Sequence, residues 1–296
     1  MTLFEQQLKR MRQDKGFIAA LDQSGGSTPK ALLGYGIQEN AYKSEDEMYS
    51  LIHEMRSRVM TDKYFTGDKI LGVILFEKTL NSKVEGLPTT EYLWNKNIVS
   101  FLKIDKGLEE KKDDVQLMKP IPNLAGVSKD AKSKGVFGTK MRSVIFANNQ
   151  EGILDVVKQQ FDFARIIIEN GLVPIIEPEV DIHAPDKKDI ETTLKKAILE
   201  QLNSLTPDQI VMLKLTLPTE DNFYSELTKH PQVVRVVALS GGYELDKASE
   251  LLTANKGVIA SFSRALLDDL RVSQTTEEFS GILSKAIDHI YTASIT

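Results

Sequence analysis

Val211-Met212-Leu213-Lys214-Leu215-Thr216-Leu217-Pro218 is an apolar run with one lysine at its centre. Bounded by Thr-Pro-Asp before and Leu-Pro after, it reads as a buried strand close to its end. Lysine is almost never buried without a partner. Two readings fit. In one, Lys214 snorkels its ammonium to water along its four-carbon stem. In the other, it is a desolvated amine whose pKa falls until it can attack a carbonyl and form a Schiff base.

Other strand candidates also end in charged or small polar residues: Asp22, Lys103 with Asp105, Lys140 with Arg142, Glu177 with Glu179, Ser240 and Arg264. Strand side chains alternate in direction, so Lys140 and Arg142 share a face, as do Glu177 and Glu179. Singly, each has a plain explanation as a solvated edge, a turn with two acids or a helix N-cap at Ser240. Jointly, they put cations and anions on one mouth, and burying them costs free energy unless they pair or bind something charged. Ser240-Gly241-Gly242 with Arg264 suits a phosphate, held by backbone N–H groups and a guanidinium. Ser24-Gly25-Gly26-Ser27 suits a second anion-binding loop.

The elements that must position these residues follow from periodicity. Strands are expected over residues 16–21, 70–76, 99–105, 138–145, 172–179, 211–215, 233–239 and 257–262. Helices are expected over 1–14, 44–60, 89–94, 150–170, 186–202, 221–228, 245–254 and 277–291, with a long polar excursion over 106–134. Alternating strands and helices argue for parallel βαβ units. Eight units predict an α/β fold of one domain, residues 1–296: a (β/α)8 TIM barrel preceded by an N-terminal helix, with a doubly wound open sheet as the alternative. In a TIM barrel, the C-terminal strand ends carry the active site.

Composition narrows the function. A net charge of −5 gives no electrostatic reason to expect nucleic acid. With no cysteine, thiolate catalysis, disulfides and Cys-ligated metals are excluded. Residues 1–15 lack the apolar core of a secretory signal, and the apolar strand at 70–76 is too short to span a membrane. A cytoplasmic chain is expected. His53, His183, His230 and His289 fall away from strand ends, and the cations around Glu177 and Glu179 disfavour a dication, so no metal is expected.

Taken together, Ala20-Leu21-Asp22, Leu102-Lys103-Ile104-Asp105-Lys106-Gly107, Lys140-Met141-Arg142, Val173-Pro174-Ile175-Ile176-Glu177-Pro178-Glu179, Leu213-Lys214, Leu239-Ser240-Gly241-Gly242 and Phe262-Ser263-Arg264 resemble class I fructose-1,6-bisphosphate aldolase. The motifs stand in family order from Gly16 to about Leu266, and the length resembles the short bacterial branch. The resemblance implies a metal-independent, cofactor-free lyase of glycolysis and gluconeogenesis that acts on a small sugar phosphate. It implies that Lys214 forms the Schiff base with dihydroxyacetone phosphate or the open-chain bisphosphate. Glu177 would be the main general acid/base, with Asp22, Lys140 and Glu179 orienting and polarising around it. Ser240, Gly241, Gly242, Ser263 and Arg264 would hold the C1 phosphate. Lys103, Arg142, Ser24 and Ser27 would lie toward the C6 phosphate.

This sequence departs from the animal enzymes of the family in three places. Gln23 stands where they have an acid, Ala31 where they have a basic residue, and their tail ending in tyrosine has no counterpart. Tyr291 is expected to pack the last helix against the barrel instead. Two rivals to the aldolase reading remain: another Schiff-base barrel such as a transaldolase or deoxyribose-phosphate aldolase, and a non-catalytic sugar-phosphate-binding barrel.

Overall fold

The structure is a computed structural model that describes residues 1–296. Its strands are β1 (Phe17–Leu21), β2 (Ile70–Leu75), β3 (Val99–Lys103), β4 (Gly138–Ile145), β5 (Val173–Val180), β6 (Val211–Thr216), β7 (Val233–Leu239) and β8 (Val258–Ala260). They pair in parallel in sequence order. Ala20 N–H donates to Phe262 C=O at 3.3 Å, which brings the ends of β8 and β1 together into a barrel rather than an open sheet. Ser294, at the end of the last helix (Thr276–Ser294), helps at the same seam: its hydroxyl accepts from Ala260 N–H at 3.0 Å.

Burial on both faces explains why these strands read as continuous apolar runs. Ile18, Phe101, Phe137, Ile175, Met212 and Val237 fill the barrel interior, while a larger cluster packs the strands against the surrounding helices. Phe101 is accommodated by glycines: a Cβ at Gly72 would come within 2.9 Å of its ring, and one at Gly138 within 3.0 Å. The N-terminal helix (Leu3–Gln13) is started by a capping box of Thr2 and Glu5 and brings Met11 into the inner core. Arg10 binds Gly67 and Ile70 carbonyls, and Arg235 binds Met11 C=O at 2.8 Å, which fixes that helix to the barrel.

Several boundaries differ from the sequence reading. The polar excursion at 106–134 is ordered by Val115–Gln116, which pairs antiparallel with the end of β4, and by a helix over Leu124–Ser133. A helix over Ser27–Tyr35 directly follows the serine-glycine loop, where Gly-Ser punctuation masked its start. The expected helix at 221–228 is reduced to Ser225–Thr228. The last helix extends to Ser294, and Tyr291 packs partly buried against the core, as its spacing suggested.

Candidate active site

Because side chains two apart share a strand face, one inward stripe carries apolar residues low in the barrel and charges at its top. On β4 the stripe runs Gly138, Lys140, Arg142; on β5 it runs Val173, Ile175, Glu177, Glu179; on β6 it runs Met212, Lys214, Thr216. The charged ends line a cavity of about 700 Å³. Thirteen of the fourteen residues to which the family resemblance gives a role line it. The fourteenth, Gly242, stands just behind: a Cβ there would lie 3.4 Å from Arg264 Nη2.

Lys214 does not snorkel to the outer surface. It is 4 % exposed, and its Nζ lies 3.1 Å from Glu177 Oε1. Glu177 bridges two lysines, since its Oε2 lies 2.7 Å from Lys140 Nζ. Lys140 in turn reaches Asp22 Oδ2 at 3.1 Å. Burial alone would raise the Asp22 pKa, but Lys140, Lys214 and Lys103 outweigh it and hold the carboxyl well below the usual carboxylate range. Burial likewise opposes the charged form of Lys140, yet Asp22, Glu177 and Asp105 push its ammonium well above the ordinary lysine value. Both stay charged at neutral pH.

Around this centre, Lys103 pairs with Asp105 at 2.6 Å and Arg142 with Glu179 at 2.8 Å. Lys106 lies 3.3 Å from Glu77, at the end of β2 that offered no signal in the sequence. The lining holds six cations against five carboxylates, which favours an anionic occupant. Arg264 is the one lining cation with no carboxylate within salt-bridge distance, and it is exposed. Next to it, Gly241 and Gly242 take positive φ of 62° and 117°, a backbone that glycine adopts without strain. Ser240 does not cap the following helix, which starts at Leu245 with Glu244 before it; the turn instead closes through Tyr243 N–H to Ser240 C=O at 2.9 Å.

Two predicted serines have other commitments. Ser27 Oγ donates to Ser24 C=O at 2.8 Å and accepts from Ser24 N–H at 2.9 Å, so it shapes its own loop. Ser263 Oγ accepts from Gln23 Nε2 at 2.6 Å, and Gln23 thereby ties the loop after β1 to the loop after β8. The Gln23 carbonyl accepts from Arg56 at 2.5 Å, and Arg56 also reaches Thr79 Oγ1 at 2.8 Å. Burial pulls this guanidinium down to about 10, against the opposing pull of Asp22 and Tyr49. Sequence reading missed Arg56 and Tyr49, which come from a helix (Glu45–Thr61) with no motif around them. It also passed over Ser261, whose buried hydroxyl has no partner; its step from Ile259 along β8 was the available signal.

Comparison with known proteins agrees with this geometry. Residues 3–221 match the family model for fructose-bisphosphate aldolase class-I. The chain is 56 % identical over 292 residues to the fructose-bisphosphate aldolase class 1 of Porphyromonas gingivalis, covering 98 % of this chain and 99 % of that one. The chain belongs to the class I fructose-bisphosphate aldolase family. It is therefore a lyase of the metal-independent class, whose members cleave fructose 1,6-bisphosphate reversibly through a lysine Schiff base. Among solved structures, a fructose-bisphosphate aldolase from Plasmodium falciparum, crystallised with TRAP and a small molecule inhibitor, superposes with a TM-score of 0.75 at 22 % identity. That match covers 99 % of this chain and 94 % of the other. A Corynebacterium glutamicum protein superposes at a TM-score of 0.57 and 14 % identity, over 98 % and 92 % of the two chains. At those identities the structural matches speak for the barrel alone.

Proposed function

We propose that Lys214 is the Schiff-base lysine of this aldolase and Glu177 its acid/base partner. The observation that carries this reading is the 3.1 Å approach of a buried Lys214 Nζ to Glu177 Oε1 inside the cavity. In the cleavage direction a proton passes from Lys214 to Glu177, and the neutral Nζ attacks C2 of the open-chain bisphosphate. Glu177 gives a proton to the carbinolamine oxygen, which leaves as water, and a protonated imine remains. The C3–C4 electron pair then flows into that imine as the C4 hydroxyl proton passes to Glu177. Glyceraldehyde 3-phosphate departs, and the enamine of dihydroxyacetone phosphate is protonated at C3 and hydrolysed. A carboxylate within about 3 Å of the reacting nitrogen is in proton-transfer range.

Lys140 holds the other Glu177 oxygen, and Asp22 anchors Lys140. Arg264, with the Ser240–Gly242 turn and Ser263, takes the C1 phosphate, because its guanidinium is not committed to a carboxylate of the chain. Lys103, Arg142, Glu179, Ser24 and Ser27 line the side of the cavity toward the C6 phosphate. There the two ion pairs leave cationic edges free and Ser24 and Ser27 set the loop. We further read residues 1–296 as one domain acting in the cytoplasm on a sugar phosphate; no helix is long and apolar enough to cross a membrane.

Borohydride reduction in the presence of dihydroxyacetone phosphate tests the reading. The expected result is one adduct on the peptide containing Lys214, with cleavage insensitive to EDTA. An adduct on another lysine would remove Lys214 from the role.

A further inference from the structure

The seam between β5 and β6 carries both Glu177 and Lys214, and its backbone ladder is short. Val173 N–H donates to Phe137 C=O and Asp181 N–H to Ile145 C=O, so the β5 donors at both ends of the strand that face β4 are odd-numbered; Glu177 N–H, between them, is taken by Gln160 Oε1 at 2.9 Å. In a parallel ladder successive N–H groups point to opposite neighbours, so positions 174, 176, 178 and 180 face β6. Two of those four are Pro174 and Pro178, which have no N–H to give. The register between β5 and β6 is accordingly confined to Ile175↔Met212 and Ile176↔Leu213. The register between β4 and β5 runs unbroken to Ile145↔Val180. Backbone pairing between the two strands thus stops just below Glu177 and Lys214.

Above the gap one side chain rejoins them. Thr216 Oγ1 accepts from Val180 N–H at 2.9 Å and donates to Val180 C=O at 2.8 Å. Thr216 is 1 % exposed and Val180 fully buried, so no solvent stands ready to replace those bonds. Thr216 lies two residues beyond Lys214 on the same inward stripe. Its methyl lies close under the turn above: a Cβ placed on Gly241 would be 3.7 Å from it.

We propose that Thr216 is a positioning residue for the aldol reaction: by splicing β6 to β5 it sets the distance between Lys214 Nζ and the Glu177 carboxylate. The proposal rests on the assignment of those two residues as the reacting pair. Without the hydroxyl, two buried backbone groups of Val180 lose their partners and the seam is free to part where the ladder is already missing. Misplacing reacting groups by about 1 Å costs about 10²-fold in rate.

The test compares Thr216→Val, which keeps shape but loses the hydroxyl, with Thr216→Ser, which keeps it. Both are assayed at a temperature where thermal melting shows them fully folded. The readouts are the single-turnover rate of borohydride-trappable imine formation, kcat, and KM for fructose 1,6-bisphosphate. For Thr216→Val we expect imine formation and kcat to fall by about 10- to 100-fold, with KM within about threefold, since phosphate contacts are untouched. Thr216→Ser should restore both rates to within about threefold of the unsubstituted enzyme. If the valine variant does not fold, Thr216→Cys, a weaker donor and acceptor of similar shape, should show an intermediate slowing. A folded Thr216→Val, or in its place Thr216→Cys, with unchanged imine-formation rate and kcat overturns the proposal while the adduct stays on Lys214. An adduct on another lysine in the unsubstituted enzyme overturns the assignment of Lys214 itself, and the proposal with it.

Discussion

Two groups of buried charges flank β6, one at the barrel mouth and one beneath the helix Lys187–Leu202. In the second group Glu191 is 1 % exposed, yet its valences are filled from within the chain. Its oxygens accept from Thr219 N–H at 3.0 and 3.1 Å and from Lys187, whose Nζ also reaches Leu217 C=O at 2.8 Å. Beside it, burial and the Glu191 charge push the Tyr224 phenol well above its ordinary value; that side chain stays neutral, and its buried hydroxyl has no partner but lies outside the lining of the site cavity. The mouth group is different. Lys140 approaches Glu177 Oε2 as a charge contact outside hydrogen-bonding geometry, and Asp105 Oδ2 and Ser261 Oγ have no partner within the chain. All three belong to residues that line the cavity. Buried charge alone therefore does not mark a site. Charge whose remaining hydrogen-bonding capacity points into a cavity does, because there the substrate completes what the chain leaves open.

This contrast can be broken or sharpened by experiment. The largest effect is expected from Lys214→Met, which should abolish cleavage and borohydride trapping together while far-ultraviolet circular dichroism stays unchanged. Residual turnover through a trappable imine would place the nucleophile elsewhere. Glu177→Gln keeps the shape but removes proton transfer, so kcat should fall by about 10² to 10⁴ with the protein folded. A kcat near that of the unsubstituted enzyme would hand the base role to another carboxylate at the mouth.

The sealed group should respond in the opposite sense. Glu191→Ala strands Lys187, and removing one partner of a buried pair costs about 3–5 kcal/mol. Urea unfolding should register that loss, while kcat at a permissive temperature stays within about threefold because Glu191 does not line the site cavity. A large fall in kcat at unchanged stability would erase the distinction between the two groups.

Arg264→Ala should act on affinity. A hydrogen bond to a charged group contributes about 1.5–3 kcal/mol, so KM for phosphorylated substrates should rise about 10- to 100-fold. The penalty should shrink in high salt, since Arg264 is exposed. The smallest expected effect is a pH dependence. The Asp22 pKa is depressed in the folded state, so its contribution to stability is present above the unfolded value of about 3.9 and is lost as pH falls through the folded value. The stability difference between the unsubstituted enzyme and Asp22→Asn should therefore be constant from neutrality down to about pH 5 and narrow only below about pH 4. A gap that already closes near neutral pH would mean that Lys140 does not hold Asp22 ionised.

Much of the fold and of the site was legible because strand chemistry is periodic. Alternation by two requires Lys140 and Arg142, or Glu177 and Glu179, to share a face, and eight apolar runs alternating with helices leave few topologies. The residues that brace the site from outside the strands were not legible. Gln160, on the helix Gln150–Glu169, is fully buried and accepts from Glu177 N–H at 2.9 Å. Arg56 holds the loop after Asp22, and Ser294 binds the end of β8. Each stands in a helix where a polar residue reads as solvated surface, because nothing local records that its tip reaches between strands.

The sequence by itself determined which residue types stand at each strand end and which way they face, since both follow from the two-residue repeat. Tertiary structure decided which of them meet. Glu177 bridges Lys140 and Lys214 because barrel order puts β5 between β4 and β6 and the stagger of the strands brings the three side chains to one height. It also decided which polar groups were already committed, such as Ser263 to Gln23, and which remained free, such as Arg264. Those outcomes depend on distances between side chains from different strands and loops, up to the 240 residues between Gln23 and Ser263, which the barrel sets.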